Sequence, residues 1–175
     1  MDFIKNNNFN AIRVPFSMHI VRENPFIMNV HCHKNPGLCG LTAIRMLDVF
    51  IDRAAERGLL VMLDNHRNAA GGYISPPLWF ESLTKRFVYT IFRNGYEIGL
   101  QHCIRWNVFA IDLKNEPSYE EELATWGNSN KSSDWNKAAE RMIRRFRNFS
   151  GLFLFAGIPF GNTFNNAVQY PIDTG

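Results

Sequence analysis

Residues 108–117 read VFAIDLKNEP, and the order of apolar and polar residues in this stretch indicates how the chain folds. The stretch opens with apolar, β-branched and aromatic residues, which is typical of a strand in a covered parallel sheet. Pro117 has no backbone N–H and is expected to end the strand. Asn115 and Glu116 are therefore predicted at a strand's carboxyl end, where α/β enzymes build their active sites. An isolated Asn-Glu-Pro tripeptide is equally compatible with a structural salt bridge.

Three further apolar runs have the same character. They begin near Asn10, Leu59 and Leu152, so that, together with residues 108–117, apolar runs recur at nearly even intervals. The run after Leu59 passes directly into Asp-Asn-His-Arg at residues 64–67, which repeats the pattern of an apolar strand with a polar carboxyl end. We therefore predict four strands.

Helical patterns lie between these strands. Apolar residues recur with helical spacing in residues 41–55, and Gly58 follows where a left-handed C-terminal cap is expected. Another helix is predicted from Ser82, and the most amphipathic helix covers residues 135–146 with Ser133 as its N-cap. This alternation predicts an α/β fold with a parallel sheet.

The length of the chain limits the architecture. A complete (β/α)8 barrel typically has about 250 residues, whereas this chain has 175. We predict a partial (β/α)8 TIM barrel of about four parallel strands with intervening helices, forming a single domain over residues 1–175. An open four-stranded α/β sheet is the competing architecture, and it would also gather the strand-end residues along one edge.

Arg13 lies between apolar neighbours inside the first predicted strand, Asn10 to Phe16, which Pro15 and the loop after it are expected to stop. A guanidinium group cannot lose its charge on burial, so Arg13 needs a partner. We expect Arg13, His66 and Glu116 at the carboxyl ends of their strands, with Arg13 turned towards Glu116 or solvent.

The composition is that of a folded protein and argues against several kinds of partner. Hydrophobic residues make up 46% of the chain, and the formal net charge is +3. Basic residues are not interleaved with stacking aromatics, so no nucleic-acid partner is predicted. No apolar run is long enough to span a bilayer, and the first residues lack the apolar core of a signal peptide. We therefore expect no membrane partner and no signal peptide in this chain.

The cysteines near residue 35 allow two interpretations. Cys32 and Cys39 flank a Pro-Gly loop and are spaced suitably for a short-range disulfide. With His31 and His33 nearby, the same cysteines also imitate a metal cluster. The spacing follows no zinc signature, so we favour a loop or disulfide and predict neither a metal site nor a cofactor.

Four motifs, taken in order, resemble the cellulases of glycoside hydrolase family 5. The likeness extends from about Phe3 to Arg141, with a weaker similarity near residues 161–171, and the Asn-Glu-Pro end is its most specific part. The motifs are Ile12-Arg13-Val14-Pro15, Leu63-Asp64-Asn65-His66, Leu113-Lys114-Asn115-Glu116-Pro117, and Thr125-Trp126-Gly127 followed by residues 133–141.

The resemblance implies a retaining glycoside hydrolase that acts on O-glycosyl bonds of β-1,4-glucan through two carboxylates about 5–5.5 Å apart. By its Asn-Glu-Pro context Glu116 resembles the general acid/base, and Asn115 resembles the residue that binds the sugar 2-hydroxyl. Arg13 resembles the arginine that keeps the nucleophile ionised. His66 resembles a ligand of a sugar hydroxyl.

Two tryptophans and the cellular location complete the expectations that the resemblance implies. Trp79 and Trp126 are candidates for stacking on glucose rings, although an aromatic residue in a loop is just as often part of a core. The family resemblance also implies a polysaccharide substrate, β-glucan, and an extracellular location.

The chain departs from the family pattern at both ends. The family's nucleophile is a glutamate on the seventh strand, supported by a residue on the sixth, whereas the predicted strands correspond to the second to fifth. Asp64 lies near Glu116 by pattern, but nothing in the sequence places it across the sugar ring. Asp112 is expected to be a buried, paired structural residue. The two alternatives are a cellulase-like hydrolase and a truncated, inactive fragment that at most binds carbohydrate or a partner chain.

Overall fold

The computed structural model describes residues 1–28, 30–69, 105–117, 124–127, 133–146, 148–158 and 161–174. The helix predicted from Ser82 and the side chain of Trp79 lie outside these residues. The described strands are β1 (Ala11–Ser17), β2 (Leu60–Arg67), β3 (Val108–Asp112) and β4 (Leu152–Leu154). The described helices are α1 (Asp2–Asn6), α2 (Met18–Glu23), α3 (Ala43–Ala55) and α4 (Trp135–Arg145), with a 3-10 helix at Pro36–Leu38.

The four described strands form one sheet in the order β1-β2-β3-β4, and each neighbouring pair is parallel. This confirms the predicted α/β fold with four parallel strands. An open doubly wound sheet contains a point at which the strand order reverses. The described strands have no such reversal, so their order is that of a barrel segment.

The core lies between the sheet and the long helices. Ile51 of α3, Val61 of β2 and Trp135 of α4 are all 0% exposed and belong to one apolar cluster. These residues occupy the apolar positions of the sequence pattern, so the core follows from the spacing of hydrophobic residues.

The predicted cap at Gly58 is confirmed. Gly58 has φ +63°, its N–H donates to Ala55 O, and the N–H of Leu59 donates to Ala54 O, both at 2.9 Å. This pair of bonds is a Schellman motif, which ends the helical segment and satisfies its last carbonyls. Because Leu59 is fully buried, the cap also turns the chain directly into the core and β2.

The first strand is shifted by one residue from the predicted range of Asn10 to Phe16, since β1 runs from Ala11 through Pro15 to Ser17. The N–H of Leu60 donates to Asn10 O at 2.9 Å, and alternate residues of a parallel strand bond to the same neighbour. The nitrogen of Pro15 therefore faces away from β2, on the side where β1 has no partner in the described sheet. A proline fits such an edge position, and the prediction that Pro15 stops the strand is wrong.

The third strand is shorter than predicted, because β3 ends at Asp112 rather than at Pro117. The chain stays aligned with β2 beyond this point, since the N–H of Asn115 donates to Asn65 O at 3.0 Å. Glu116 consequently lies past the regular sheet, at its carboxyl rim.

The amphipathic helix predicted near the end of the chain is present as α4, but its N-cap is Asp134 rather than Ser133. The N–H of Thr125 donates to Ser133 O at 2.8 Å, and the N–H of Trp135 donates back to Thr125 O at 2.7 Å. This bridge keeps Ser133 in an extended segment before the helix. The buried face of α4 includes Trp135, Ala138, Ala139, Met142 and Ile143.

Cys32 and Cys39 form a disulfide, with their Cα atoms 5.5 Å apart. The disulfide interpretation of these cysteines is therefore correct. Among the described residues, no three His, Cys, Asp or Glu side chains are grouped so that they could hold a metal ion. Within the same part of the chain, no helix combines the length and apolar character needed to cross a membrane.

Candidate active site

Charged side chains gather on one face of the sheet near its carboxyl rim. Arg13 lies opposite Met62, and Asp64 lies opposite Asp112. Residues two apart on a strand point to the same face, so Arg13, Asp64 and Asp112 share one face. Arg13 is only the third residue of β1, so the expectation that it ends its strand is wrong, and its side chain reaches the carboxylates from within the sheet.

Arg13 contacts one residue of β2, one of β3 and one of the segment that follows β3. One terminal guanidinium nitrogen lies 3.0 Å from Asp64 Oδ2. The other lies 2.8 Å from Asp112 Oδ2 and 3.0 Å from Asn115 Oδ1. The predicted need for an acidic partner is confirmed, but the partners are Asp64 and Asp112 rather than Glu116. Glu116 lies beyond the end of β3, whereas Asp112 is still within it.

Asp64 is 0% exposed and orients His66. Its Oδ2 atom lies 2.7 Å from His66 Nδ1, and its Oδ1 atom is buried with no hydrogen-bond partner among the described residues. Burial raises the pKa of the Asp64 carboxyl above its usual value, while the bond to His66 and the charge of Arg13 act in the opposite direction.

The contact with Asp64 also determines which hydrogen-bonding atom of His66 is available to a ligand. A neutral imidazole that donates its Nδ1–H to Asp64 keeps the Nε2 lone pair as an acceptor. The His66 side chain is 33% exposed, so part of the ring is accessible at the rim. His66 is therefore suited to accept a hydrogen bond from a hydroxyl group.

Asn115 and Glu116 lie past the end of β3 rather than at its last residues, and the structure holds them differently. Asn115 is half-buried, and its Oδ1 atom accepts from Arg13, so its amide N–H groups face other acceptors. Glu116 is exposed and has φ +44°. This left-handed conformation costs a non-glycine residue on the order of 1 kcal/mol, and such strain persists only where the surroundings impose it.

Lys114 is a further residue of this cluster, to which sequence reasoning gave no role. It is 3% exposed, and its Nζ atom donates to Asn115 O at 2.7 Å and more weakly to His66 O at 3.4 Å. Burial lowers the pKa of Lys114 to about 8. Lys114 lies two residues past the end of β3, where strand alternation no longer predicts the direction of a side chain, so the sequence pattern did not reveal its burial.

Trp126 is 6% exposed. Its indole N–H donates to Tyr170 O at 2.8 Å, and its ring lies against Phe155 and Phe164 at centroid distances of 6.4 and 6.1 Å. A buried ring face cannot stack on a glucose ring, so this burial favours a core role and argues against the sugar-stacking role. All three covering residues come after β4, and two of them, Phe164 and Tyr170, belong to the irregular segment for which the sequence predicted no contacts. Trp79 lies outside the described residues.

This arrangement of strands and side chains agrees with a protein-family match that covers nearly the whole chain. Residues 1–173 match the family model described as cellulase, glycosyl hydrolase family 5. The chain belongs to glycosyl hydrolase family 5. The match extends well past Arg141, where the likeness seen in the sequence became weak.

Two bacterial relatives of this family 5 chain are endoglucanases. The endoglucanase of Paenibacillus polymyxa is 32% identical over 142 residues, which cover 81% of this chain and 34% of the relative. The major extracellular endoglucanase of Xanthomonas campestris pv. campestris is 37% identical over 142 residues, which cover 76% of this chain and 26% of the relative.

Solved family 5 structures share the fold. An endocellulase from the archaeon Pyrococcus horikoshii superposes with a TM-score of 0.84 at 28% identity, over 98% of this chain and 52% of that chain. The catalytic domain of the Xanthomonas endoglucanase gives a TM-score of 0.84 at 26% identity, over 99% of this chain and 52% of that domain. The predicted partial (β/α)8 TIM barrel is confirmed, and the chain spans about half the length of these solved endocellulases.

Proposed function

We propose that this chain contributes one half of the active site of a retaining β-glycosidase, with Glu116 as the general acid/base. The supporting observation is that the Arg13 side chain bonds to Asp64 and Asn115, and Asp64 bonds to His66, close to the rim of the parallel sheet at which Glu116 lies. A retaining glycosidase uses such a carboxyl group first to protonate the leaving oxygen and then to activate water. Glu116 is exposed, as a group that meets substrate has to be.

His66 and Asn115 are proposed to bind the sugar next to the scissile bond. The Nδ1 atom of His66 is engaged by Asp64, so Nε2 accepts a hydrogen bond from a sugar hydroxyl. The Oδ1 atom of Asn115 is engaged by Arg13, so the amide nitrogen donates to the sugar 2-hydroxyl. Contacts to this hydroxyl strengthen in the oxocarbenium-like transition state.

The proposed substrate is β-1,4-glucan. Both bacterial relatives are endoglucanases, and variants of the Pyrococcus endocellulase have been solved in complex with cellotetraose. We propose an extracellular location, because the Xanthomonas relative is an extracellular enzyme. The disulfide between Cys32 and Cys39 is consistent with an oxidising compartment.

The second carboxylate of the mechanism is not assigned to a described residue. Asp64 and Asp112 are close to the site, but Arg13 pairs with both, and Asp64 is fully buried. Arg13 is proposed to keep the nucleophile ionised as well. The engagement of both aspartates favours the alternative function, in which this chain binds β-glucan without hydrolysing it.

Hydrolysis of soluble cellulose by the purified chain tests the proposal. Where a second carboxylate makes turnover possible, we expect Glu116→Gln to lower kcat/KM by about 10²- to 10⁴-fold, the usual contribution of a general acid/base. Glu56→Gln is the matched control, because Glu56 lies on the exposed surface at the end of α3 and its ion pairs with described residues are those to Arg53 and Arg57 nearby. An aryl β-cellobioside should be less affected by Glu116→Gln, since a phenolate leaves without protonation.

Titration with cellotetraose, followed by NMR, separates the two functions. Shifts of the His66 and Asn115 signals without turnover by the parent chain would support binding alone. Turnover that is unchanged in Glu116→Gln would exclude Glu116 as the acid/base. Absence of both binding and turnover would contradict the proposed function of this chain in either form.

A further inference from the structure

The buried ammonium group of Lys114 has an unusual pair of acceptors. Its Nζ atom lies 2.7 Å from the backbone oxygen of Asn115 and 3.4 Å from that of His66. These are the two residues proposed to bind the sugar, and they lie at the carboxyl ends of neighbouring strands. A charged amine at 3% exposure is stable only when it is hydrogen-bonded, so the side chain links these two ends.

The bond to Asn115 acts directly on the backbone of Glu116. The carbonyl of Asn115 belongs to the peptide group that carries the Glu116 nitrogen, so its orientation sets the start of the Glu116 backbone. On its other side, Asn115 is fixed by the bond from its N–H to Asn65 O at 3.0 Å. Glu116 then continues with φ +44°, a conformation that a non-glycine residue keeps only when its surroundings hold it.

We propose that Lys114 is a positioning residue whose ammonium group ties the ends of β2 and β3 together and fixes the peptide group from which Glu116 projects. The inference rests on the proposed acid/base function of Glu116, but its geometric content is independent of any sugar. Lys114 neither touches the substrate nor transfers a proton, and it acts through the backbone of Asn115.

The charges around Lys114 make this link sensitive to alkaline pH. Asp64 and Arg67 face it from β2, and Asp112 and Glu116 face it from β3 and the segment that follows. Burial lowers the pKa of Lys114 to about 8, even though the negative charges of the three carboxylates act to raise it. Deprotonation converts a charge-assisted hydrogen bond into a weaker neutral one, so the Asn115 peptide should loosen above this pH.

The test follows the ¹³C signals of the Asn115 carbonyl and of Glu116 Cα between pH 6 and 10, by carbon detection so that amide-proton exchange does not interfere. We expect both signals to titrate together with a midpoint near 8 in the parent chain. Lys114→Met should abolish this step and shift Glu116 Cα at neutral pH, whereas Lys114→Arg, which retains charge and donors, should keep Glu116 Cα near its parental position. Lys137→Met is the matched control, because Lys137 pairs with Glu140 on α4 and should leave the step intact.

Two results would overturn the inference: no alkaline step in the parent chain, or a step that persists in Lys114→Met. The parent titration needs no variant, so it remains decisive even if Lys114→Met does not fold. Failure of the proposed function would instead be seen as absent hydrolysis and absent cellotetraose binding, with the alkaline step still present.

Discussion

The carboxyl ends of β2 and β3 lie side by side, yet they hold their polar groups in opposite ways. At β2, Asp64 is inside the strand, fully buried, and bonded through its side chain to Arg13 and His66. At β3, Glu116 is past the strand, exposed, and in a left-handed conformation. The comparison teaches that groups which orient others are buried and paired, whereas the group proposed to meet substrate stays accessible.

The support for the β3 end is correspondingly indirect. At this end the structure fixes the backbone rather than the side chain of Glu116. The bond from the Asn115 N–H to Asn65 O and the bond from Lys114 Nζ to Asn115 O hold it in place. No ion pair or hydrogen bond joins the Glu116 carboxylate to another residue in the part of the chain that the structure describes, which is consistent with its proposed role towards substrate. The following predictions test this difference, from the largest expected effect to the smallest.

The largest effect concerns Lys114 and the pH dependence of stability. The pKa of Lys114 is about 8 in the folded chain, whereas its usual value is 10.5. Between these two pH values the unfolded chain binds more protons than the folded chain, so the free energy of unfolding rises with pH. Below pH 8 Lys114 is charged in both the folded and the unfolded chain, so the full free-energy cost of burying its charge destabilises the folded chain. The stability of the parent relative to Lys114→Met should therefore rise by up to about 3 kcal/mol across this window.

Urea unfolding at several pH values between 7 and 10.5 checks this expectation. The comparison with Lys114→Met cancels the contributions of other titrating groups. Parallel stability curves for the two proteins would show that the ammonium group is not buried as described.

A somewhat smaller effect is expected at the β2 end. Arg13→Met removes the charge that pairs with Asp64 and Asp112 and leaves both carboxylates without their guanidinium partner. Breaking a buried pair typically costs 3–5 kcal/mol, but the Arg13 side chain is 38% exposed, so solvent screening reduces the expected loss to about 2 kcal/mol.

Denaturant unfolding at pH 7 measures this loss. Arg53→Met provides the control, since Arg53 forms an exposed pair with Glu56 on α3 and should change stability by less than about 0.5 kcal/mol. Equal effects of the two substitutions would contradict the description of the β2 end as a buried charge network.

The smallest effect has the opposite sign and concerns Glu116. Glycine adopts φ +44° without the steric cost that a side chain incurs, so Glu116→Gly should stabilise the chain by about 0.5–1 kcal/mol. Glu116→Ala retains the strain and should be nearly neutral, because the Glu116 side chain is exposed. Thermal unfolding of the three proteins compares them directly, and a destabilised glycine variant would mean that Glu116 makes structural contacts.

Local sequence signals predicted the elements well where one chemical property dominated. The glycine after α3 had to adopt a left-handed conformation, and Gly58 does so with φ +63°. The apolar spacing in α4 predicted its buried face, including Trp135 and Met142. Strand ends were less predictable: Pro15 fits within β1 because of the side to which its nitrogen points, which a sequence does not reveal.

The site residues likewise divide into those that the sequence predicted and those that depend on the tertiary structure. The Asn-Glu-Pro motif and the polar end of β2 correctly brought Asn115, Glu116 and His66 to one rim. The partners of Arg13 could not be predicted, because they depend on the register that places Asp64 opposite Asp112. Trp126 was predicted as a possible stacking residue, and its burial depends on Tyr170 and Phe164, which are distant in the chain.

By itself, the sequence determined the α/β class, the number of parallel strands in the described sheet, the family likeness and the residues at the strand ends. These features depend on periodicity and on short motifs, which act within a few turns of the chain. Only the tertiary structure decided which charge pairs with which, and that Lys114 is buried between Asn115 and His66. Ion pairing and burial depend on distances between strands, and those distances are set by register and packing of the whole fold rather than by neighbours in sequence.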